Sequence, residues 1–358
     1  MNKKPLIALI GFWARGNIGD EAILNSIILN LRSDFEFLIV LDEYGAAKGY
    51  WDHYPYNSYP RTHIGNTQIV GHSVAGLLVG GGGLGTGYGA AQACVVRSRN
   101  RPVALVGVDG FLKRLKPNHP IHYYYDIFNY ISVRTKRSFE FLNSSCIDCH
   151  YGADWVLSLT RNRLVRPRTS FGHTIGQYFN CKKTLIITVR EFDLSDQVLV
   201  EKLDCIIKLI AGLKCNKILL PFCPEDERLI REFPSLAQSV DKVIVPDYFN
   251  VSSLTNIFRG ADAVLSFGRL HPLVFARIHE LPAIGFDIDR SISEIGFTKV
   301  SAMSEELGYR CYPYCQLEKV TAHDIESELF DTTFNLDDSY QDRLTKQVND
   351  IKILFKNC

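Results

Sequence analysis

The sequence predicts an α/β protein with two Rossmann-like domains, each built on a parallel β-sheet, that face one another across a cleft. Two series of short apolar runs alternate with stretches of helical periodicity, the rhythm of βαβ units with helices on both faces of a sheet. The 358 residues exceed what one hydrophobic core usually holds. A basic stretch at 159–183, which has Pro167, Gly172 and Gly176 and no clear periodicity, separates the two series.

The first series predicts five strands and two helices. Ile23, Ile27 and Leu31 recur at a spacing of four, which indicates that 19–31 is a helix with one apolar face. A second helix is predicted at 136–143. The predicted strands are 6–12, 35–41, 76–80, 102–108 and one within 127–135.

The second series repeats the pattern. The predicted strands are 184–190, 217–222, 242–246, 263–267 and, as the last strand, 282–287. The predicted helices are 196–213, a stretch at 225–238 that breaks at Pro234, 250–261 and 272–280. A tail helix is predicted at 338–356.

These elements give the domain boundaries. We expect an N-terminal α/β domain at 1–165, a linker or loop at 166–183, and a C-terminal α/β domain at 184–335 that carries an Arg-Leu-His motif. The segment 336–358 is expected to cross back to the first domain.

The composition and charge exclude several classes of protein. With 46% hydrophobic and 22% charged residues, the chain has the composition of a soluble globular protein. Its net charge of +1 gives no overall field that would attract nucleic acid, so no nucleic-acid partner is expected. The ten cysteines are scattered, which favours buried thiols over a disulfide framework, and no metal site is predicted.

The N-terminal apolar run is expected to be the first strand, not a secretion signal. The run is short, and Arg15, Asp20 and Glu21 follow at once. No apolar run approaches the ~20 residues that span a bilayer. A cytoplasmic protein is therefore predicted, with peripheral association at the inner face of the membrane left open.

Glycines and polar residues follow two strands of the first half. After the first strand, Gly16 and Gly19 permit a tight turn, and Asn17 with Asp20 forms a capping-box-like pattern. This loop fits either a ligand site or a plain helix cap. After the third strand, a glycine run that includes Gly82 and Gly83 favours close approach of the backbone to a substrate. Dinucleotide binding is disfavoured because no acidic residue follows about 20 positions later.

Arginines at strand ends predict an anionic ligand. Arg134, Arg190 and Arg269 each follow an apolar run, and ligands of open α/β sheets bind beyond the carboxyl ends of the strands. Guanidinium groups there suit the bidentate capture of carboxylate or phosphate. A helix that begins near Pro272 adds N–H groups and a positive dipole end. His271 is either a proton-transfer group beside this anion or a structural histidine near a helix start.

Several motifs occur in the order found in polysaccharide pyruvyl transferases, and this resemblance covers about residues 7–290. The most specific is the Arg-Leu-His segment within 260–287. The motifs are GNIGDEAIL, LLVGGGGL, SVRTKRS, GADWVLSL, ITVREF, LPFCPEDE and GADAVLSFGRLHPLVFARIHELPAIGFD.

The resemblance implies a GT-B-like enzyme that transfers the pyruvyl group of phosphoenolpyruvate to a sugar as a ketal and releases phosphate. Phosphoenolpyruvate is then a co-substrate, and no cofactor is expected. The acceptor is a sugar of a polysaccharide or of its lipid-linked precursor. Two alternatives remain open: a GT-B glycosyltransferase that uses a nucleotide sugar, and a non-catalytic sugar-binding relative.

The predicted site residues follow from the motifs. His271 is predicted to be catalytic, with Asp20 as a weaker candidate on the acceptor side. After the last strand, where the family often has a Tyr-Asp-x-Lys-like element, Ile288 replaces the tyrosine and Asp289 keeps the acid. Arg290 is the candidate replacement for the lysine. The donor-binding set is Arg269, Arg190, Asn17, Leu270, Arg134 and Gly16, and the acceptor or cleft-loop set is Gly82, Gly83, Asp287, Asp289 and Arg290.

Overall fold

The fold divides into two compact units. The computed structural model describes residues 4–41, 54–63, 74–81, 89–109, 124–159, 183–192, 195–288, 297–331 and 338–356. One unit comprises Met1–Ser158 with Asp338–Cys358, and the other comprises Leu159–Asp337. The predicted linker at 166–183 lies almost wholly outside the described residues.

The first unit is built on a seven-stranded sheet in the order β3-β2-β1-β4-β5-β6-β7. Every strand pair in it is parallel. The five central strands, β1, β2, β4, β5 and β6, are almost wholly buried and apolar, as expected when helices cover both faces of a parallel sheet. Their bounds are β1 Leu6–Ile10, β2 Glu36–Leu41, β3 Arg61–His63, β4 Gly76–Gly80, β5 Val103–Val108, β6 Tyr130–Val133 and β7 His150–Tyr151.

Four α-helices of the first unit have described bounds. They are α1 Ile18–Leu31, α2 Ala90–Arg97, α3 Lys136–Ser144 and, from the chain's last segment, α11 Tyr340–Lys356. Side chains of α2 and α3 pack with residues of β1, β2, β4, β5 and β6 in one hydrophobic core.

The last helix, α11, is anchored to the first unit at its middle and near its C-terminal end. In the middle, the buried Gln347 accepts hydrogen bonds from the Ser132 hydroxyl at 2.9 Å and from the Ala153 N–H at 3.0 Å. Near the C-terminal end, the Phe355 ring packs edge-on against Phe35, with centroids 6.2 Å apart. The tail helix predicted at 338–356 is therefore part of the first unit's core.

The second unit has a six-stranded sheet in the order β10-β9-β8-β11-β12-β13, again with every pair parallel. The strands are β8 Thr184–Val189, β9 Asn216–Leu219, β10 Lys242–Val243, β11 Ala263–Phe267, β12 Ala283–Phe286 and β13 Arg310–Tyr312. The helices are α4 Gln197–Gly212, α5 Pro224–Glu232, α6 Pro234–Gln238, α7 Val251–Arg259, α8 His271–Ile278, α9 Lys299–Glu306 and α10 Ala322–Asp331.

The elements of the second unit confirm one detail of the sequence prediction and correct another. The helical stretch that contains Pro234 is divided at that residue into α5 and α6, because proline has no N–H to continue the first helix. The strand at 282–287 is not the last, since β13 pairs with it. β13 has only three residues and was therefore too short to form a recognisable apolar run.

Candidate functional site

Each sheet has a topological switch point, which is the place between two neighbouring strands where the strand order reverses. In the first unit it lies between β1 and β4, and in the second between β8 and β11. Ligands of open α/β sheets bind beyond the strands' carboxyl ends at such points. The loops after β8 and β11 carry Arg190 and Arg269, and the loop after β1 carries Asn17.

The β11–α8 turn has a fixed geometry. Gly268 has φ = 75°, a left-handed conformation that side chains rarely adopt. A Cβ at this position would lie 2.4 Å from Cγ1 of Ile288, so the turn also needs glycine for space. The Ser266 hydroxyl donates to the Arg269 carbonyl at 2.6 Å, and Oγ1 of Thr188 lies 3.0 Å from Oγ of Ser266. The two strands at the switch point therefore hold the turn together.

The guanidinium of Arg269 is bound to a buried carboxylate. Nε donates to both Asp226 oxygens at 2.9 and 3.2 Å, and Nη2 donates to Oδ1. Nη2 also lies 2.7 Å from Sγ of Cys223. Asp226 is fully buried, whereas the Arg269 side chain is 17% exposed. Burial raises the pKa of the Cys223 thiol, which keeps it neutral beside this ion pair.

Asp226 also joins two neighbouring strand ends. Its Oδ1 accepts the N–H of Glu191, which follows β8, at 2.9 Å. Its Oδ2 accepts the N–H of Phe222, which follows β9, at 3.1 Å. The sequence analysis did not predict Asp226 as a site residue, although it lies in the LPFCPEDE motif.

The other site residues predicted after β8 and β11 are Arg190 and Leu270, of the donor-binding set, and His271, the predicted catalytic residue. The Arg190 N–H donates to the Phe267 carbonyl at 2.9 Å, and its side chain is partly exposed. Leu270 is buried at the N-cap of α8. His271 is the first residue of α8 and is partly exposed. The structure thus brings Arg190, Arg269 and His271 to the carboxyl ends of two adjacent strands.

Asp287 follows β12 and is buried against the start of α9. It accepts a hydrogen bond from the hydroxyl of Thr298, the N-cap residue of that helix. The contact orders the end of β12, and the cleft role of Asp287 stays a prediction. Gly82, Gly83, Asp289 and Arg290, from the same predicted set, lie outside the described residues.

The loop after β1 is a tight turn into α1. Gly16 has φ = 82°, and Oδ1 of Asn17 accepts the Gly19 N–H at 3.1 Å, so Asn17 is the helix cap that its position predicted. Asp20 is buried in the first turn of α1. This geometry fixes the loop, and the ligand contacts of Gly16, Asn17 and Asp20 stay predictions.

A buried carboxyl group lies beneath this loop. Glu21 is fully enclosed and accepts a hydrogen bond from the Tyr54 hydroxyl. Burial raises the pKa of Glu21 to about 8, with a smaller contribution from the nearby Asp20. Glu21 was not predicted as a buried residue from the sequence, because glutamate side chains are mostly exposed.

Arg134 lies in a buried ion network in the first unit. Its Nε and Nη2 donate to the two oxygens of Asp109 at 2.9 and 2.6 Å, and Nη1 donates to Asp154 at 2.7 Å. All three side chains are 1% exposed. The two carboxylates hold the pKa of Arg134 above its usual value. The geometry therefore gives Arg134 a structural role, and its donor-binding role stays a prediction.

The described parts of the chain contain neither a membrane-spanning helix nor a metal-binding cluster. No helix among these residues is long and apolar enough to cross a membrane. In the same residues, no group of three or more His, Cys, Asp or Glu side chains is arranged to hold a metal ion.

The two units define the GT-B class of fold, and solved structures resemble the chain over almost its whole length. The UDP-GlcNAc 2-epimerase from Neisseria meningitidis, bound to UDP-GlcNAc, matches with a TM-score of 0.65 at 13% identity, covering 97% of this chain and 99% of that one. S. aureus MnaA, in a co-structure with UDP, matches with a TM-score of 0.64 at 12% identity, covering 99% and 97%. At such identities these similarities establish the fold alone.

The sequence itself establishes the family. The family model for polysaccharide pyruvyl transferase matches residues 17–290, which include Asn17, the N-cap residue of α1, and the whole β11–α8 turn. The chain belongs to the polysaccharide pyruvyl transferase family and is a transferase. No curated protein is significantly similar to it in sequence.

Proposed function

We propose that this protein transfers the pyruvyl group of phosphoenolpyruvate to two hydroxyls of one sugar, forming a pyruvate ketal and releasing phosphate. One observation carries the proposal: the family match includes the β11–α8 turn, where Arg269 and His271 stand at a switch point of the sheet. The acceptor is a sugar of a polysaccharide or of its lipid-linked precursor.

The reaction sets three requirements for the site. Phosphoenolpyruvate carries a carboxylate and a phosphate, so the site must bind two anions. Protonation of its methylene carbon makes the neighbouring carbon electrophilic, one sugar hydroxyl attacks that carbon, and phosphate leaves. A second hydroxyl then closes the ketal. Of the two hydroxyl protons, one is balanced by the new methyl group and the other by the released phosphate, so no oxidant or reductant is needed.

The residues around β8 and β11 suit these requirements. We assign anion binding to Arg190, Arg269 and the N-terminus of α8, since guanidinium groups and helix N-termini both favour carboxylate and phosphate. Proton transfer is assigned to His271, the imidazole nearest in sequence to that helix start. Asp20, in the first unit, is a weaker candidate for removing a proton from the acceptor.

Phosphate release in the presence of phosphoenolpyruvate tests the proposal. The purified protein is incubated with phosphoenolpyruvate and a panel of glycans and lipid-linked sugars, and released phosphate is measured. We expect release that depends on one acceptor, together with a mass increase of that acceptor by one pyruvyl ketal. If no acceptor supports release and phosphoenolpyruvate does not bind in calorimetric titration, the proposal is wrong.

A nucleotide-sugar transferase is the second candidate. It is favoured by one observation, namely that two similar structures were solved with UDP or UDP-GlcNAc. In this case the arginines would bind a diphosphate. The same acceptor panel with UDP-GlcNAc separates the candidates, because a glycosyltransferase releases UDP and does not respond to phosphoenolpyruvate.

A further inference from the structure

We propose that Asp226 is a positioning residue that fixes the guanidinium of Arg269 for donor binding. The inference rests on the proposed function, since it concerns how that site holds its anion. Asp226 lies in the first turn of α5, whereas Arg269 follows β11, 43 residues later. Their contact therefore joins two separate elements at the carboxyl edge of the sheet.

The hydrogen bonds of Asp226 explain how a charge can be buried there. A buried carboxylate is strongly unfavourable unless donors replace its water. Asp226 is fully buried, and its two oxygens accept from Nε and Nη2 of Arg269 and from the N–H groups of Glu191 and Phe222. It also lies near the N-terminus of α5, where the helix dipole favours a negative charge. One carboxylate is thus held by groups from three strand ends.

A helix-capping role alone does not account for these contacts. The N-cap residue of α5 is Cys223, whose side chain makes no capping hydrogen bond. A capping carboxylate at the third position of a helix, where Asp226 lies, would bond to the N–H of the N-cap residue. Asp226 instead bonds to N–H groups that follow β8 and β9 and to a side chain that follows β11. Its contacts fix the position of the arginine relative to the loop that carries Arg190.

This arrangement determines which part of Arg269 can meet a ligand. The edge formed by Nε and Nη2 is occupied by Asp226, and Nη2 also contacts Cys223. A carboxylate or phosphate of the donor therefore cannot take that edge in a two-nitrogen contact. We assign the donor contact to the exposed part of the Arg269 side chain, whose orientation is fixed by Asp226.

Asp226→Asn tests the proposal, with Glu232→Gln as the matched control. Glu232 is an exposed acid on the same helix, 45% exposed and paired with Arg228. At saturating acceptor, we expect Asp226→Asn to raise the KM for phosphoenolpyruvate and lower kcat/KM by roughly 100-fold, since a misplacement of about 1 Å can have this effect. The KM for the acceptor should stay within about twofold of the wild-type value. Glu232→Gln should match the wild-type protein in all three constants.

The variant Arg269→Gln shows whether Asp226 acts on donor binding through Arg269 or only through the stability of the fold. If Asp226 acts through Arg269, adding Asp226→Asn to Arg269→Gln should change the KM for phosphoenolpyruvate by less than about twofold. This double variant leaves no unpaired charge, so it provides the comparison even if Asp226→Asn alone does not fold.

The outcomes distinguish two failures. If the wild-type protein neither binds nor consumes phosphoenolpyruvate, the proposed function is wrong. If the wild-type protein consumes it, the positioning role is overturned by either of two results: Asp226→Asn matching Glu232→Gln, or multiplicative effects of the two substitutions on the donor KM.

Discussion

At the scale of single residues, His271 occupies a position that suits proton transfer. It is the first residue of α8 and directly follows the Arg-Leu pair of the β11–α8 turn. The first N–H groups of a helix have no acceptor within the helix, and they favour an anion. A histidine at this point would lie next to the phosphate and carboxylate of the proposed donor.

We expect His271→Ala to lower turnover at least about a hundredfold, because general acid–base catalysis typically contributes about 10²–10⁴ in rate. Phosphate release at saturating donor and acceptor measures this effect. The far-ultraviolet circular dichroism spectrum should be unchanged. Near-normal turnover of the variant would contradict the catalytic role.

Glu21 should make the stability of the first unit depend on pH. Its pKa is raised from 4.5 to about 8 by burial, so the folded state favours the protonated form. The stabilisation is fully present below pH 4.5 and is lost as the pH rises through about 8. Glu21 faces Tyr54 and Tyr56 besides its neighbour Asp20.

Glu21→Gln removes this titration and keeps the shape of the side chain. We expect the free energy of unfolding of the wild-type protein to fall relative to the variant between pH 5 and pH 8.5, measured by urea unfolding. Glu36→Gln, an exposed acid of the same unit, is the control and should follow the wild-type curve. Parallel curves for the wild-type protein and Glu21→Gln would mean that Glu21 is not protonated in the folded state.

At the scale of elements, the β11–α8 turn depends on Gly268. Alanine at φ = 75° costs about 1–2 kcal/mol, and its Cβ would collide with Ile288. We expect Gly268→Ala to lower the free energy of unfolding of the second unit by about 2–5 kcal/mol, since overpacking adds about 1–3 kcal/mol. Circular dichroism during urea unfolding measures the loss.

The collision can be separated from the backbone strain. Ile288→Ala removes the atoms that a new Cβ would meet, so the double variant should be less destabilised than the sum of the two single variants. Strict additivity would show that steric contact with Ile288 is not part of the cost.

The central strands could be predicted from the sequence, whereas the edge strands β7 and β13 could not. Buried parallel strands appear as apolar runs, and the strands at 76–80 and 263–267 were predicted to the residue. The edge strands β7 and β13 have two and three residues, so their existence depends on a neighbouring strand rather than on their own pattern.

The same limit applies to the site. Arg134 and Arg269 follow strands in similar local sequences, yet Arg134 is enclosed by Asp109 and Asp154, and Arg269 keeps part of its surface. The carboxylates that make this difference lie 20 to 43 residues away along the chain. The sequence therefore predicted that these arginines follow strands of the sheets, but it did not predict which carboxylates bind their guanidinium groups.

At the scale of the whole molecule, the chain crosses from the first unit to the second and returns. The return is made by α11, whose lysines at 352 and 356 bind Asp34 at 3.0 and 2.5 Å. These hydrogen bonds hold the pKa of Asp34 well below its usual range. Residues at the two ends of the sequence therefore stabilise one core.

Phe355→Ala should destabilise the first unit by about 3–5 kcal/mol, because its ring is fully buried against Phe35 and beside Gly76. All three tryptophans precede residue 158, so tryptophan fluorescence during urea unfolding reports on this unit. Ile353→Ala on the same helix is the control, since Ile353 is 60% exposed, and it should change stability by no more than about 0.5 kcal/mol. Equal effects of the two substitutions would contradict the packing of α11.

The position of α11 has a consequence for how the protein is made. A ribosome releases the chain from its N-terminus at about 5–20 residues per second, and domains generally fold as units. The second unit is continuous, so all of its residues are available once Asp337 has emerged. The first unit starts earlier but lacks Gln347 and Phe355 until the whole second unit has been synthesised. We therefore expect the second unit to complete its fold before the first unit, because the first unit cannot complete its core until α11 has been synthesised.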